Sequence, residues 1–141
     1  MSTKELLFSF QGRINRKTYW IWNVIYYVSI LALVPVLASC FLTLSYVLLP
    51  IFLVVLLIPD LAITTKRWHD RNKSIYWLAL NIPLIIGRIA TPMTSPAAQE
   101  PSTPPQMFVA SISLICGLWI LIECGLLKGT SGPNQYGPEP E

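Results

Sequence analysis

From Tyr19 to Ile63 the chain carries a single charged residue, Asp60. About 20 consecutive apolar residues suffice to cross a bilayer, so this run is roughly twice one crossing. It has to fold back, and Ser39–Ser45 is its most polar place to do so. Pro35 and Pro50 fall inside the two helices that result, where neighbouring membrane helices can satisfy the backbone groups a proline frees. Only 12% of the chain is charged, against about 25% in ordinary globular domains. A soluble fold with so few charges could not cover its surface. The expected class is an all-α integral membrane protein.

The run ends in Lys66–Trp77, KRWHDRNKSIYW, which holds four of the ten Lys and Arg residues, the one His and three aromatics. The second helix is expected to continue past the membrane through Lys66–Arg71, with Asn72 as its stop and Ser74 capping the next helix. Lys66 and Asp70, four apart, are spaced as a surface ion pair. Ile75–Ala90 follows, apolar but only about 24 Å long as an α-helix. It contains Asn81, Pro83 and Gly87 and ends beside Arg88. The proline-rich stretch Thr91–Gln106 cannot build a core and reads as an extended linker.

The chain therefore reads as one membrane domain over 1–141. An amphipathic lead-in occupies 1–17, with Asn15 as the N-cap of the first helix. Four transmembrane helices cover 18–39, 45–68, 75–90 and 107–127, the third short and Pro-containing. The linker over 91–106 is extracytoplasmic, and a tail rich in turn formers occupies 128–141. In this threading nine cations lie on one side: Lys4, Arg13, Arg16, Lys17, Lys66, Arg67, Arg71, Lys73 and Lys128. Only Arg88 lies on the other, which places both termini in the cytoplasm. If Ile75–Ala90 re-enters instead of crossing, Arg88 moves inside and Lys128 outside. The count is then the same, and charge alone leaves both threadings open. The basic residues flank apolar runs, so the net charge of +3 needs no nucleic acid to explain it. Cys40, Cys116 and Cys124 all lie in apolar segments and read as packing residues, not as a disulfide framework.

Three separated motifs resemble those of the bacterial inner-membrane family called domain of unknown function 805. The first is Phe10-Gln11-Gly12-Arg13-Ile14-Asn15-Arg16, followed by Tyr19-Trp20. The second is Arg67-Trp68-His69-Asp70, with Ser74 and Trp77 behind it. The third is Gly129-Thr130-Ser131-Gly132-Pro133-Asn134-Gln135-Tyr136-Gly137-Pro138, with Pro140. Lys66, Trp68, Asn72 and Ile75 depart from the residues usual in the family's second motif. The resemblance implies several helices in an inner membrane and brings no activity.

Two constellations could carry function. Gly12, Arg13, Arg16, Arg67, His69, Asp70, Ser74, Asn134, Tyr136 and Gly137 are expected to form a cytoplasmic cap, with Tyr136 an aromatic plug whose hydroxyl would look to Asp70 or Arg67. His69 and Asp70 are adjacent on a helix and point about 100° apart, so they form no catalytic pair. One His cannot furnish a zinc site, and no metal or cofactor is expected. The second constellation is a polar layer inside the bundle, Asn23, Asp60, Asn81 and Glu123, with Arg13 or Arg16 able to reach in and neutralise an acid. Intramembrane acids face the bundle interior and often mark ion paths.

The leading expectation is a non-enzymatic interaction or scaffold protein of the inner membrane. Its cap would contact anionic lipid headgroups, a membrane-protein partner or a second copy of the chain. The alternative is a proton or cation channel or carrier subunit using Asp60 and Glu123. A membrane enzyme using His69 is the third.

Overall fold

A computed structural model describes residues 2–40, 42–90 and 103–140, and every regular element among them is helical. The chain begins with α1, Thr3–Phe8, started by a capping box in which Ser2 and Glu5 bond each other's backbone amides. The next residues are extended, with Gly12 at φ 90°. Asn15 then caps α2, its Oδ1 accepting from the Thr18 amide at 2.8 Å. Helix α2 is Arg16–Cys40 and helix α3 is Leu42–Asp70, 25 and 29 residues long. Most of Ser39–Ser45, read above as a link, is therefore helical; residue 41 lies outside the described residues.

Helix α3 stops where Asn72 takes up φ 58°. The Lys73 amide reaches back to the Trp68 carbonyl and the Asn72 amide to that of His69, both at 2.9 Å. This pair of bonds is the Schellman pattern that a left-handed residue permits. Ile75–Leu80 is a 3₁₀ turn that runs directly into α4, Asn81–Ala90. Ser74 occupies the cap position but makes no side-chain cap bond. The reason lies in the tighter turn, because the Trp77 amide is already taken by the Ser74 carbonyl. The last helix, α5, covers Pro104–Ile120 and widens into a π turn over Leu121–Leu126.

Helices α2 and α3 pack side by side and antiparallel, since residue 13 meets 70 and residue 22 meets 60. Helices α4 and α5 form a second pair. Ser113 Oγ donates to the Pro83 carbonyl at 2.8 Å, and Gly87 and Gly117 let Ser113 and Leu84 sit close against the backbone. Small residues at such a contact allow two helices to approach closely. Among the described residues the two pairs meet at one end only, through the 3₁₀ turn and the π turn, while α1 packs on α3.

The core sits at that same end: Ile14, Tyr19, Ile63, Trp68, Ile120 and Cys124 pack as one cluster. Along the helices the apolar side chains point outward, among them Val24, Val28 and Leu31 of α2, Val54 and Val55 of α3 and Leu114 and Ile115 of α5. The segment Pro104–Leu126, 23 residues with mean hydropathy 2.2, is the one helix among the described residues long and apolar enough to cross a membrane by length and composition.

Candidate functional site

The last two turns of α3 are wrapped on all sides, and residues 62 to 70 are buried without a break. Asp70 is the pivot. Its Oδ1 accepts from Arg13 Nε at 3.1 Å and Nη2 at 2.9 Å, and its Oδ2 pairs with Arg67. Its backbone carbonyl accepts from the amide and the hydroxyl of Thr130. Arg13 also donates to the carbonyls of Thr130, Gly132 and Gly137, so one guanidinium fastens the lead-in to the hinge and the tail together. A guanidinium presents five donors in a rigid fork, which a lysine could not match. Asn134 completes the join, donating to the His69 carbonyl and to Thr130 Oγ1 at 2.9 Å each. Gly129 leaves space for the Asp70 carboxylate, since an added Cβ would overlap it.

A second set of cations closes the end of the last helix. Helix carbonyls have no amide ahead of them and attract positive charge. Here five in succession find side-chain donors. Cys124 and Leu127 accept from Arg67, Gly125 from Trp20 Nε1, Leu126 from Arg16 and Lys128 from Arg71. Lys66, fully buried, donates from Nζ to the carbonyls of Glu5 and Leu6 at 2.7 and 2.6 Å. It therefore holds α1 in place and makes no surface pair with Asp70. Its spacing from Asp70 said nothing of a partner on another helix.

His69 is 7% exposed. Its Nδ1 lies 3.2 Å from the Gly12 carbonyl, which can only accept, so that nitrogen carries the proton. Tyr136 covers the ring in a near-parallel stack, centroids 3.9 Å apart. The Tyr136 ring thus packs on His69 of the hinge. Both Asp70 oxygens are held by arginines.

Burial, and then the nearby Lys66 charge, lower the His69 pKa, while the bond to Gly12 partly opposes them. A depressed pKa means that the unfolded chain takes up the proton first. The stability His69 contributes is then fully present above its unfolded pKa of about 6.5 and lost as pH falls through the lower folded value. Urea titrations of detergent-solubilised protein should show stability dropping as pH falls below about 6.5. The drop should be smaller in His69→Gln; an equal drop in both proteins would dismiss His69 as its source.

The polar layer is only partly assembled. Asn23, Asp60 and Asn81 line one cavity between the helix pairs, joined by Tyr19, Tyr26 and Thr64. Trp22 Nε1 donates to Asp60 Oδ1 at 3.2 Å, and Asn23 Nδ2 to the Tyr19 carbonyl at 2.9 Å. Glu123 is not among them. Its carboxylate accepts from Lys73 Nζ at 2.8 Å and from Arg71 Nε at 3.1 Å at the hinge. Two adjacent cations stabilise a carboxylate there better than an uncharged layer could. Nor do Arg13 and Arg16 reach into the layer; they bond Asp70 and the Leu126 carbonyl. Among the described residues no group of three or more His, Cys, Asp and Glu could hold a metal ion.

The site includes residues to which sequence reasoning gave no place in the cap. Lys66 and Thr130 are central, and Gly129 and Trp20 are fitted closely to their neighbours. Gly129, Thr130 and Trp20 stand within the quoted motifs, so the signal was present without these contacts attached to it.

The family profile described as "Protein of unknown function (DUF805)" matches residues 7–138, a span that takes in all three motifs. The chain is 33% identical over 144 aligned residues to the uncharacterized protein YiiR of Escherichia coli K12, covering 100% of this chain and 92% of that protein. The same figures hold for the YiiR protein of Escherichia coli O157:H7. No solved structure gives a significant match.

Proposed function

We propose, from the premise that this chain belongs to the family of proteins of unknown function DUF805, that it is a non-enzymatic membrane protein whose closed cap sets the geometry of two helical hairpins for binding lipid or protein partners. The observation that carries this reading is the inverted burial. Charged Arg13, Lys66, Arg67 and Asp70 lie inside, while apolar side chains face outward along the helices. Exposed apolar surface on that scale suits lipid, where it costs nothing, and not water.

Four crossings fit best. Residues 130, 134 and 136 contact residues 69 and 70, which supports hinge and tail on one side with an even number of crossings between them. The third crossing is short, but its first six residues are 3₁₀. At about 2.0 Å per residue they stretch Ile75–Ala90 to about 27 Å, close to the roughly 30 Å of a hydrocarbon core. By the positive-inside bias the cap is cytoplasmic, and the family resemblance implies that the membrane is the inner one. Six of the nine cap cations are bonded within the chain: Arg13, Arg16, Lys66, Arg67, Arg71 and Lys73. Contact with anionic headgroups then falls to the exposed Lys4, Lys17 and Lys128.

Crosslinking in native membranes tests this role. The protein should enter one discrete species, either with a second copy or with one recurrent partner, and Asp70→Ala should abolish it. Recovery of monomer alone from the unmodified protein would contradict an interaction function.

A further inference from the structure

We propose that the cleft between the two hairpins binds an organic ammonium group carried on an apolar body. A cavity of about 340 Å³ lies there, within the size range of small-molecule sites. All four long helices line it: Asn23 and Tyr27 from α2, Asp60 from α3, Asn81 from α4 and Leu118 from α5. It is a meeting place of elements distant in sequence, which a single polar residue on one helix could not provide.

The lining selects the charge of the ligand. It contains one carboxylate, Asp60, and no Lys or Arg, so a phosphate or carboxylate would find no cation to meet it. Four aromatic side chains line the same cavity as the carboxylate: Tyr19, Trp20, Tyr26 and Tyr27. Aromatic faces attract cations, most strongly where water is excluded. Asn81 adds a second requirement. Its Nδ2 is buried without a hydrogen-bond partner, and a buried donor left unpaired is unfavourable. An acceptor oxygen close to the ammonium would satisfy it, so an amino alcohol fits better than a bare amine.

The entrance selects the body. Helices α2 and α5 make no close backbone approach, and the rim between them carries Tyr27, Leu114 and Leu118, exposed by 52%, 64% and 50%. An apolar rim of this kind admits a chain from lipid more readily than a hydrated ion. This inference rests on the membrane placement proposed above.

The test titrates purified full-length protein in maltoside micelles and follows fluorescence of Trp20, which lines the cavity. N-dodecylethanolamine should bind saturably and at least about tenfold more tightly than dodecanol, the neutral chain of equal length. Asp60→Asn should remove that preference. Tyr27→Leu changes a half-exposed aromatic with no effect on charge, and should reduce the preference even if Asp60→Asn fails to fold. Ethanolamine binding equally well on its own would overturn the apolar body and assign the site to a free amine. Equal binding of dodecanol and N-dodecylethanolamine, or a preference unchanged in both variants, would overturn the proposal. Protein that remains in carbonate-washed membranes yet shows no preference refutes this site alone; protein released by the wash refutes the membrane placement.

Discussion

Asp70→Ala is expected to destabilise the folded protein by roughly 3–5 kcal/mol, the usual consequence of removing one partner from a buried ion pair. The size follows from what remains. Arg13 and Arg67 have side-chain exposures of 1% and 0% beside Asp70 at 4%, so neither charge can turn to water when the carboxylate goes. Both arginines keep carbonyl partners, Arg13 on Gly132 and Arg67 on Cys124. These oxygens satisfy donors but do not neutralise charge, which favours the lower half of the range. Asp70→Asn should recover little. Its amide offers one acceptor oxygen where the carboxylate serves two guanidinium groups, and it turns an NH₂ donor towards the second. Trp68, fully buried and stacked on Trp77 at 5.4 Å, reports the change in a urea titration followed by fluorescence. Unchanged stability in Asp70→Ala would mean that the clamp contributes nothing to the fold.

Gly129→Ala is the second substitution with a large expected effect, and it acts differently. The new Cβ would occupy the position of the Asp70 carboxylate. That carboxylate is not a loose chain end able to move aside, because Arg13 and Arg67 hold both oxygens. The tail backbone has to retreat instead, and the Thr130 bonds to the Asp70 carbonyl are lost with it. Overpacking of this kind costs about 1–3 kcal/mol, enough to shift a terminal segment from bound to free. Limited proteolysis should cut the variant within 128–140 while the helices stay intact. A tail as resistant as that of the unmodified protein would show that Gly129 is not closely fitted.

The sequence carried the broad plan well. An almost uncharged run of 45 residues, Tyr19 to Ile63, admits little except long helices. The glycine, asparagine and arginine positions of the three motifs point to the cap residues that do meet. Individual contacts were less legible, for physical reasons that differ by residue. Lys66 stands four residues before Asp70, and local spacing suggests a pair, but α1 packs over this face and supplies two carbonyls instead. Glu123 was placed by counting helical rise, which ignores both the π turn that contains it and the pull of Arg71 and Lys73. The row of capped carbonyls from Cys124 to Lys128 leaves no trace in side-chain pattern, because every acceptor in it is backbone. The cations read as a topology signal, with Arg13, Arg16 and Arg67 also placed in the cap. Most of them also hold the chain ends together.

Hydrogen exchange across 128–140 in the full-length protein tests the closed cap most directly. The Thr130 amide donates to the Asp70 carbonyl at 2.8 Å, and the Asn134 and Gly137 amides bond each other's carbonyls at 3.0 and 3.1 Å. If lead-in, hinge and tail form one clamp, these amides should exchange at least about a hundredfold more slowly than an unstructured peptide of the same sequence. Gly129→Ala should return them to the unstructured rate. Free exchange throughout the tail of the unmodified protein, with α3 and α5 still protected, would contradict the clamp.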